Sequence, residues 1–180
     1  MKYQMNYINQ NDSWCCGSFI RKNSLSLGVA SCSYKHYLSL KDIADSDSEY
    51  GVIMEDNIYF IDNIPERISE YIKQLNELYP DWDIIFDSGW ATYNECDIIP
   101  GCLVYPKNIE INNNNNHGGT RCAHMYLITK KCAKKLSENY LPFNHAPDWY
   151  MNDLFRKLNI KSFWGEPSIA QVFPHKSTAF

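Results

Sequence analysis

The chain has 180 residues, 44% apolar and 14% aromatic, which is ample for one packed core and short for two domains. A net charge of -4 excludes the basic excess of a general nucleic-acid binder, and no apolar run approaches membrane-spanning length. The start, Met1-Lys2-Tyr3-Gln4-Met5-Asn6, lacks the apolar stretch of a secretory signal. The expectation is therefore a single domain over 1–180, intracellular and cytoplasmic, with no nucleic-acid partner and no membrane span.

Residues 1–27 are polar, aromatic and rich in Ser and Asn, with strands suggested only over Asn6-Tyr7-Ile8-Asn9 and Trp14 to Ile20. From Gly28 the texture changes, and Ser31 or Ser33 can cap a helix carrying Tyr34, Tyr37, Leu38 and Leu40 toward Ala44. An Asp/Ser-rich turn over 45–49 then leads into Tyr50-Gly51-Val52-Ile53-Met54-Glu55-Asp56-Asn57, an apolar run that ends in two carboxylates and an amide. This reads as a central, buried, parallel strand that delivers Glu55 and Asp56 to its carboxyl end, where open α/β sheets collect ligands. Carboxylates in that position suit a divalent metal or a general base; a solvated turn is the alternative.

The next helix is the clearest in the chain, with Asp62 or Asn63 as cap, Pro65 in the first turn and Ile64, Ile68, Tyr71, Ile72, Leu75 and Leu78 on one face. Tyr79-Pro80 ends it, and Trp82-Asp83-Ile84-Ile85-Phe86 is the following strand. The strand-helix-strand order predicts that segments 50–55 and 82–86 are parallel neighbours with the helix across them. Leu103-Val104-Tyr105 forms a short strand, and the Asn112–Asn116 run with His117-Gly118-Gly119 an exposed loop. A strand over Cys122 to Ile128 feeds a helix from Lys130 to Tyr140 through Thr129 as N-cap. Lys130, Lys131, Lys134 and Lys135 read as the solvated face of that helix, not as a phosphate groove. Pro147-Asp148 opens another helix through Leu158, and Ser168 to Phe173 is strand-like. The seven cysteines are odd in number and show no C-x-x-C spacing, so they read as reduced structural thiols, with Cys96 and Cys102 the pair that an oxidising compartment would bridge.

Taken in order, these landmarks resemble glycosyltransferase family 25, which includes lipopolysaccharide and procollagen galactosyltransferases. The resemblance runs from Gly28 to the C-terminus. It rests on Gly28-Val29-Ala30-Ser31-Cys32-Ser33-Tyr34-Lys35-His36, on Ile53-Met54-Glu55-Asp56-Asn57 where the family has Glu-Asp-Asp, and on Trp82-Asp83-Ile84-Ile85. His124 to Leu136, Ala146-Pro147-Asp148-Trp149-Tyr150-Met151 and the tail from Glu166-Pro167 through Ser177 complete it. The family's opening strand and helix, which help to hold the nucleotide, are matched only by Asn6-Tyr7-Ile8-Asn9, so the chain looks shortened at the N-terminus.

The resemblance implies an α/β fold of the GT-A, Rossmann-related type: a three-layer sandwich with a mostly parallel central sheet. It implies an inverting, metal-dependent transfer of a hexose, galactose or glucose, from a UDP-sugar to a hydroxyl of a glycan or hydroxylysine-type acceptor. The cation would be Mn²⁺ or Mg²⁺, with Asp56 and Glu55 as ligands and His175 returning from the tail as a further one. Glu55, Asp56, Asn57 and His36 would form the donor side, His36 orienting the acidic loop. Asp148 is the candidate base, with helix capping as its alternative role and Asp153 or Glu166 as substitutes. Trp90, Tyr93 and Trp149 could stack on a sugar face. The competing reading is a catalytically silent, truncated relative that binds glycan or nucleotide or serves as a structural module.

Overall fold

The computed structural model describes residues 25–87, 99–107 and 123–172. Helix α1 spans Leu27–Asp45 and begins earlier than the sequence suggests. Its cap is Ser26, whose Oγ accepts a hydrogen bond from the Val29 N–H at 3.3 Å. A glycine inside a helix costs only about 1 kcal/mol, so Gly28 does not stop it. The residues that α1 buries, Val29, Ser33, His36 and Leu40, follow helical spacing, and two of the four are polar. Ser33 Oγ donates to the carbonyl of His145 at 3.2 Å, tying α1 to the segment that leads into α4 (Pro147–Leu158).

Strand β1 (Tyr50–Met54) is followed by a short β2 (Ile58–Phe60), then by α2 (Ile64–Leu78) and β3 (Ile84–Phe86). Pro65 sits in the first turn of α2, and Tyr71 and Leu75 are its buried residues. Strand β4 (Val104–Pro106) comes next, then β5 (Met125–Thr129), which passes through Thr129 into α3 (Lys130–Ser137). Thr129 is the expected N-cap and accepts from the Cys132 N–H. After α4 come β6 (Ser162–Gly165) and β7 (Ala170–Val172); β2 and β7 pair as a separate two-stranded ribbon. Of these elements, β2 and β6 have no counterpart in the sequence reading.

The main sheet has the order β1-β5-β3-β6-β4, and three of its four pairings are antiparallel; only β3–β6 is parallel. This corrects the expected mostly parallel sheet. One crossover helix carries a chain back to the end of the sheet where the strand began and so gives a parallel strand, but β5 and β6 are joined by two helices, α3 and α4, and β6 runs antiparallel to β5. The expected pairing of segments 50–55 and 82–86 is corrected as well. β1 and β3 run in the same direction, as the pattern with α2 requires, but β5 occupies the slot between them. β1 is consequently an edge strand, with Ile53 its buried residue, and not the centre of the sheet.

Alternation along the strands sorts the core to two faces. Ile84, Phe86, Tyr126, Ile128 and Trp164 pack with Leu40 of α1, Ala133 and Leu136 of α3, and Leu154 and Phe155 of α4. Ile85, Leu127 and Phe163 point the other way, onto Tyr71 and Leu75 of α2. Helices therefore cover both faces of an α/β sheet. Among the described residues no helix is long and apolar enough to cross a membrane.

Candidate functional site

The acidic corner is built by three elements that meet at the end of β1. Glu55 leaves the strand with its N–H bonded to the carbonyl of His124 at 2.8 Å, which fixes it beside the start of β5. Its side chain turns inward: Oε1 lies 3.4 Å from His36 Nε2 and 3.9 Å from Cys32 Sγ, and Oε2 lies 3.7 Å from His124 Nε2. Cys32 and His36 are four residues apart on α1 and so share one face of that helix. On its far side the His36 ring meets the fully buried Tyr126 hydroxyl, Nδ1 to O at 2.8 Å.

Electrostatics follow from this packing. Burial works to raise the Glu55 carboxyl, but the His36 hydrogen bond and the neighbouring imidazoles outweigh it and hold the group below the usual carboxylate value. Burial lowers His124 in spite of Glu55, so at neutral pH His124 is a neutral imidazole and its contact is not a full ion pair. The Cys32 thiol is pushed up to about 11 by burial and by the charges of Glu55 and Asp148.

Asp56 is exposed on the turn, while the Asn57 side-chain oxygen is buried without a hydrogen-bond partner among the described residues. Asp148 approaches from α4. The cap of that helix is Ala146, so Asp148 lies in its first turn and is not the cap. Its Oδ1 accepts from the Trp149 N–H at 2.9 Å. Burial raises the acid to about 6, with Glu55 adding to the rise and the Lys107 ammonium opposing it. Lys107 is itself buried, bonded to Asn152 Oδ1 at 2.7 Å and set over the rings of Phe86 and Trp164.

Of the residues expected at the site, Glu55 and His36 are in contact and Asp148 feels the charge of Glu55, with Asp56 and Asn57 on the turn after β1. Asp153 is paired with Arg156. Glu166 acts electrostatically on Tyr71 and Asp87. His175, Trp90, Tyr93 and Cys96 lie outside the described residues, as does the 112–119 run; Cys102 is a free thiol. The lysines of α3 are not all solvated: Lys130 and Lys135 bond the carbonyls of Ser46 and Leu158, while Lys131 and Lys134 are exposed.

Three residues escaped the sequence reading of the site. Cys32 falls between the two candidate caps, Ser31 and Ser33, and its i, i+4 pairing with His36 is secure only with α1 beginning at Leu27. His124 sat in a strand-like run with no acidic neighbour in sequence. Asp87 follows β3 just as Glu55 follows β1, and the repetition of an acid after an apolar strand was its signal.

A search of curated proteins returns no match. A family model described as "Glycosyltransferase family 25 (LPS biosynthesis protein)" matches residues 6–151, a span that includes the Asn6–Asn9 stretch and every residue of the corner just described. The chain belongs to glycosyltransferase family 25.

Proposed function

We propose that this family-25 protein transfers a hexose, galactose or glucose, from a UDP-sugar to a hydroxyl of a glycan or hydroxylysine-type acceptor, with inversion and on a GT-A-like scaffold. The observation that carries the reading is the placement of Asp148, a carboxyl held up to about 6, in the electrostatic reach of Glu55, the residue that precedes the exposed Asp56. At neutral pH an acid with that value is roughly nine-tenths ionised and still basic enough to take a proton from an acceptor hydroxyl. Lys107 keeps it from rising further.

The donor set on the outer turn fits a hard divalent cation: the exposed Asp56 carboxylate and the orphaned Asn57 oxygen are both oxygen ligands of the kind Mn²⁺ and Mg²⁺ take. When bound, such a cation neutralises charge on a departing diphosphate. His175 is assigned as a further ligand on the family resemblance alone. Glu55, turned inward, holds the turn in place through His36 and His124 and leaves Asp56 to face the donor.

Incubating the protein with Mn²⁺ and a panel of UDP-sugars should release UDP. Calorimetry should show UDP-sugar binding that depends on Mn²⁺ and disappears in Asp56→Ala, with the fold intact by circular dichroism. Equal affinity with and without metal, in wild type and variant alike, removes the cation from the proposal. The second reading, a silent glycan- or nucleotide-binding relative, is favoured by Asn57 in place of an acid and by the inward turn of Glu55. Binding without UDP release from any donor would select it.

A further inference from the structure

The inner side of the corner has a different chemistry from the outer turn. Cys32 Sγ, His36 Nε2 and a Glu55 oxygen lie within 4.8 Å of one another, a thiol, an imidazole and a carboxylate converging on one point. His124 Nε2 reaches the other oxygen of the same carboxylate at 3.7 Å. Ligand atoms around a tetrahedral zinc ion, at bonds of about 2.0–2.3 Å, stand about 3.3–3.6 Å apart. The His36–Glu55 separation of 3.4 Å already has that value, and the Cys32–Glu55 separation of 3.9 Å exceeds it by a few tenths of an ångström.

The surroundings support the same assignment. A cation would replace the proton that His36 Nε2 shares with Glu55, and the ring can then donate its Nδ1 hydrogen to the Tyr126 oxygen while the Nε2 lone pair faces the cluster. His124 has no hydrogen-bond partner on its buried Nδ1 among the described residues, so no hydrogen bond there fixes its ring. Three of the four groups come from rigid elements or their ends, two from one turn of α1 and one from the tip of β1. A set of one sulfur, two imidazole nitrogens and one carboxylate is the borderline-soft combination that selects zinc over Mn²⁺ or Mg²⁺.

The geometry points to a second cation site, distinct from the outer turn, in which Cys32, His36 and Glu55 hold a zinc-type divalent ion and His124, outside their 4.8 Å cluster but in contact with Glu55, turns in as the fourth ligand, tying α1, β1 and the start of β5 together. Loading it drives the Cys32 proton to solvent and leaves a thiolate on the metal. The site goes beyond the sugar-transfer reading and does not depend on it, since its readout is spectroscopic.

The test uses the full chain, reduced and stripped of metal, titrated with Co²⁺ and then with Zn²⁺. One equivalent of Co²⁺ should give a thiolate-to-cobalt charge-transfer band in the near ultraviolet and the intense visible bands of a four-coordinate ion, both erased by one equivalent of Zn²⁺. Cys32→Ser should abolish the charge-transfer band, and His36→Ala or His124→Ala should weaken Co²⁺ binding by about 100-fold or more. Asp56→Asn should leave spectrum and affinity unchanged, which separates this site from the outer turn. A wild-type protein that shows no such band overturns the proposal without recourse to any variant. An undiminished band in folded Cys32→Ser also overturns it, because the thiolate then belongs to another cysteine.

Discussion

Glu55 and Asp87 are the same local design with opposite outcomes. Each is the first residue after an apolar strand, the two strands run in the same direction, and each donates its N–H to the start of β5, Glu55 to His124 and Asp87 to Met125. Around Glu55 the neighbours are two imidazoles, and the carboxyl is held low. Around Asp87 they are the Tyr71 hydroxyl at 2.8 Å and the Ile169 N–H at 3.1 Å, both on Oδ1, while Oδ2 is buried with no hydrogen-bond partner among the described residues. Burial dominates there and raises the acid to about 7 in spite of those two donors. The strand tip positions a carboxylate; groups brought from distant segments decide whether it is a charged site or a nearly neutral structural acid.

The largest effect that tests this contrast is on sugar transfer. Asp148 belongs electrostatically to the Glu55 corner, so Asp148→Asn, which keeps an oxygen for the Trp149 N–H, should lower transfer by about 10²-fold or more with little change in thermal unfolding. Asp87→Asn, on the structural side, should transfer at the wild-type rate. Wild-type transfer rates should rise with pH through about 6 and then level, as Asp148 ionises. Wild-type rates in Asp148→Asn, or a profile flat across that range, would make Asp148 structural.

The next effect is on stability. Because the folded protein holds the Asp87 proton to higher pH than the unfolded chain does, its share of stability is complete below about pH 3.8 and is lost as pH rises through about 7. Asp87→Asn removes the ionisation, retains an oxygen for Tyr71 and Ile169, and places its NH₂ where Oδ2 had no hydrogen-bond partner among the described residues. It should stabilise the protein by about 1–3 kcal/mol more at pH 8 than at pH 5, read from paired denaturant titrations. A gain that is equal at both pH values would mean that ionisation is not the cause. Tyr71→Phe is the smallest change: it should cost about 0.5–1.5 kcal/mol and move the Asp87 midpoint upward, since a donor to the charged form is lost. An unmoved midpoint, by NMR titration of the side chain, would show that the hydroxyl does not serve the carboxylate.

Much of the fold was legible because local rules sufficed. Pro65 and the spacing through Leu75 mark α2, Thr129 marks the start of α3, and Pro147 opens α4. Adjacency in the sheet was not legible, because a strand-helix-strand pattern sets direction while the insertion of β5 between β1 and β3 depends on contacts far apart in sequence. The site was legible in the same uneven way. Glu55, Asp56 and Asp148 stand at element ends with recognisable signatures. His124 and Cys32 become neighbours of Glu55 only once β5 and α1 have docked, and Asp87 acquires its shifted acidity only from α2 and the approach to β7.

The middle position of β5 also couples the two corners. Neither Glu55 nor Asp87 has its backbone anchor until residues 125–129 enter a slot whose walls, β1 and β3, were made much earlier in the chain. Such a non-local insertion carries a loop-closure cost that local helices do not, and both corners depend on that one insertion. Amide exchange should show the same coupling in reverse: the protons at Glu55 and Asp87 lose protection together whenever β5 withdraws.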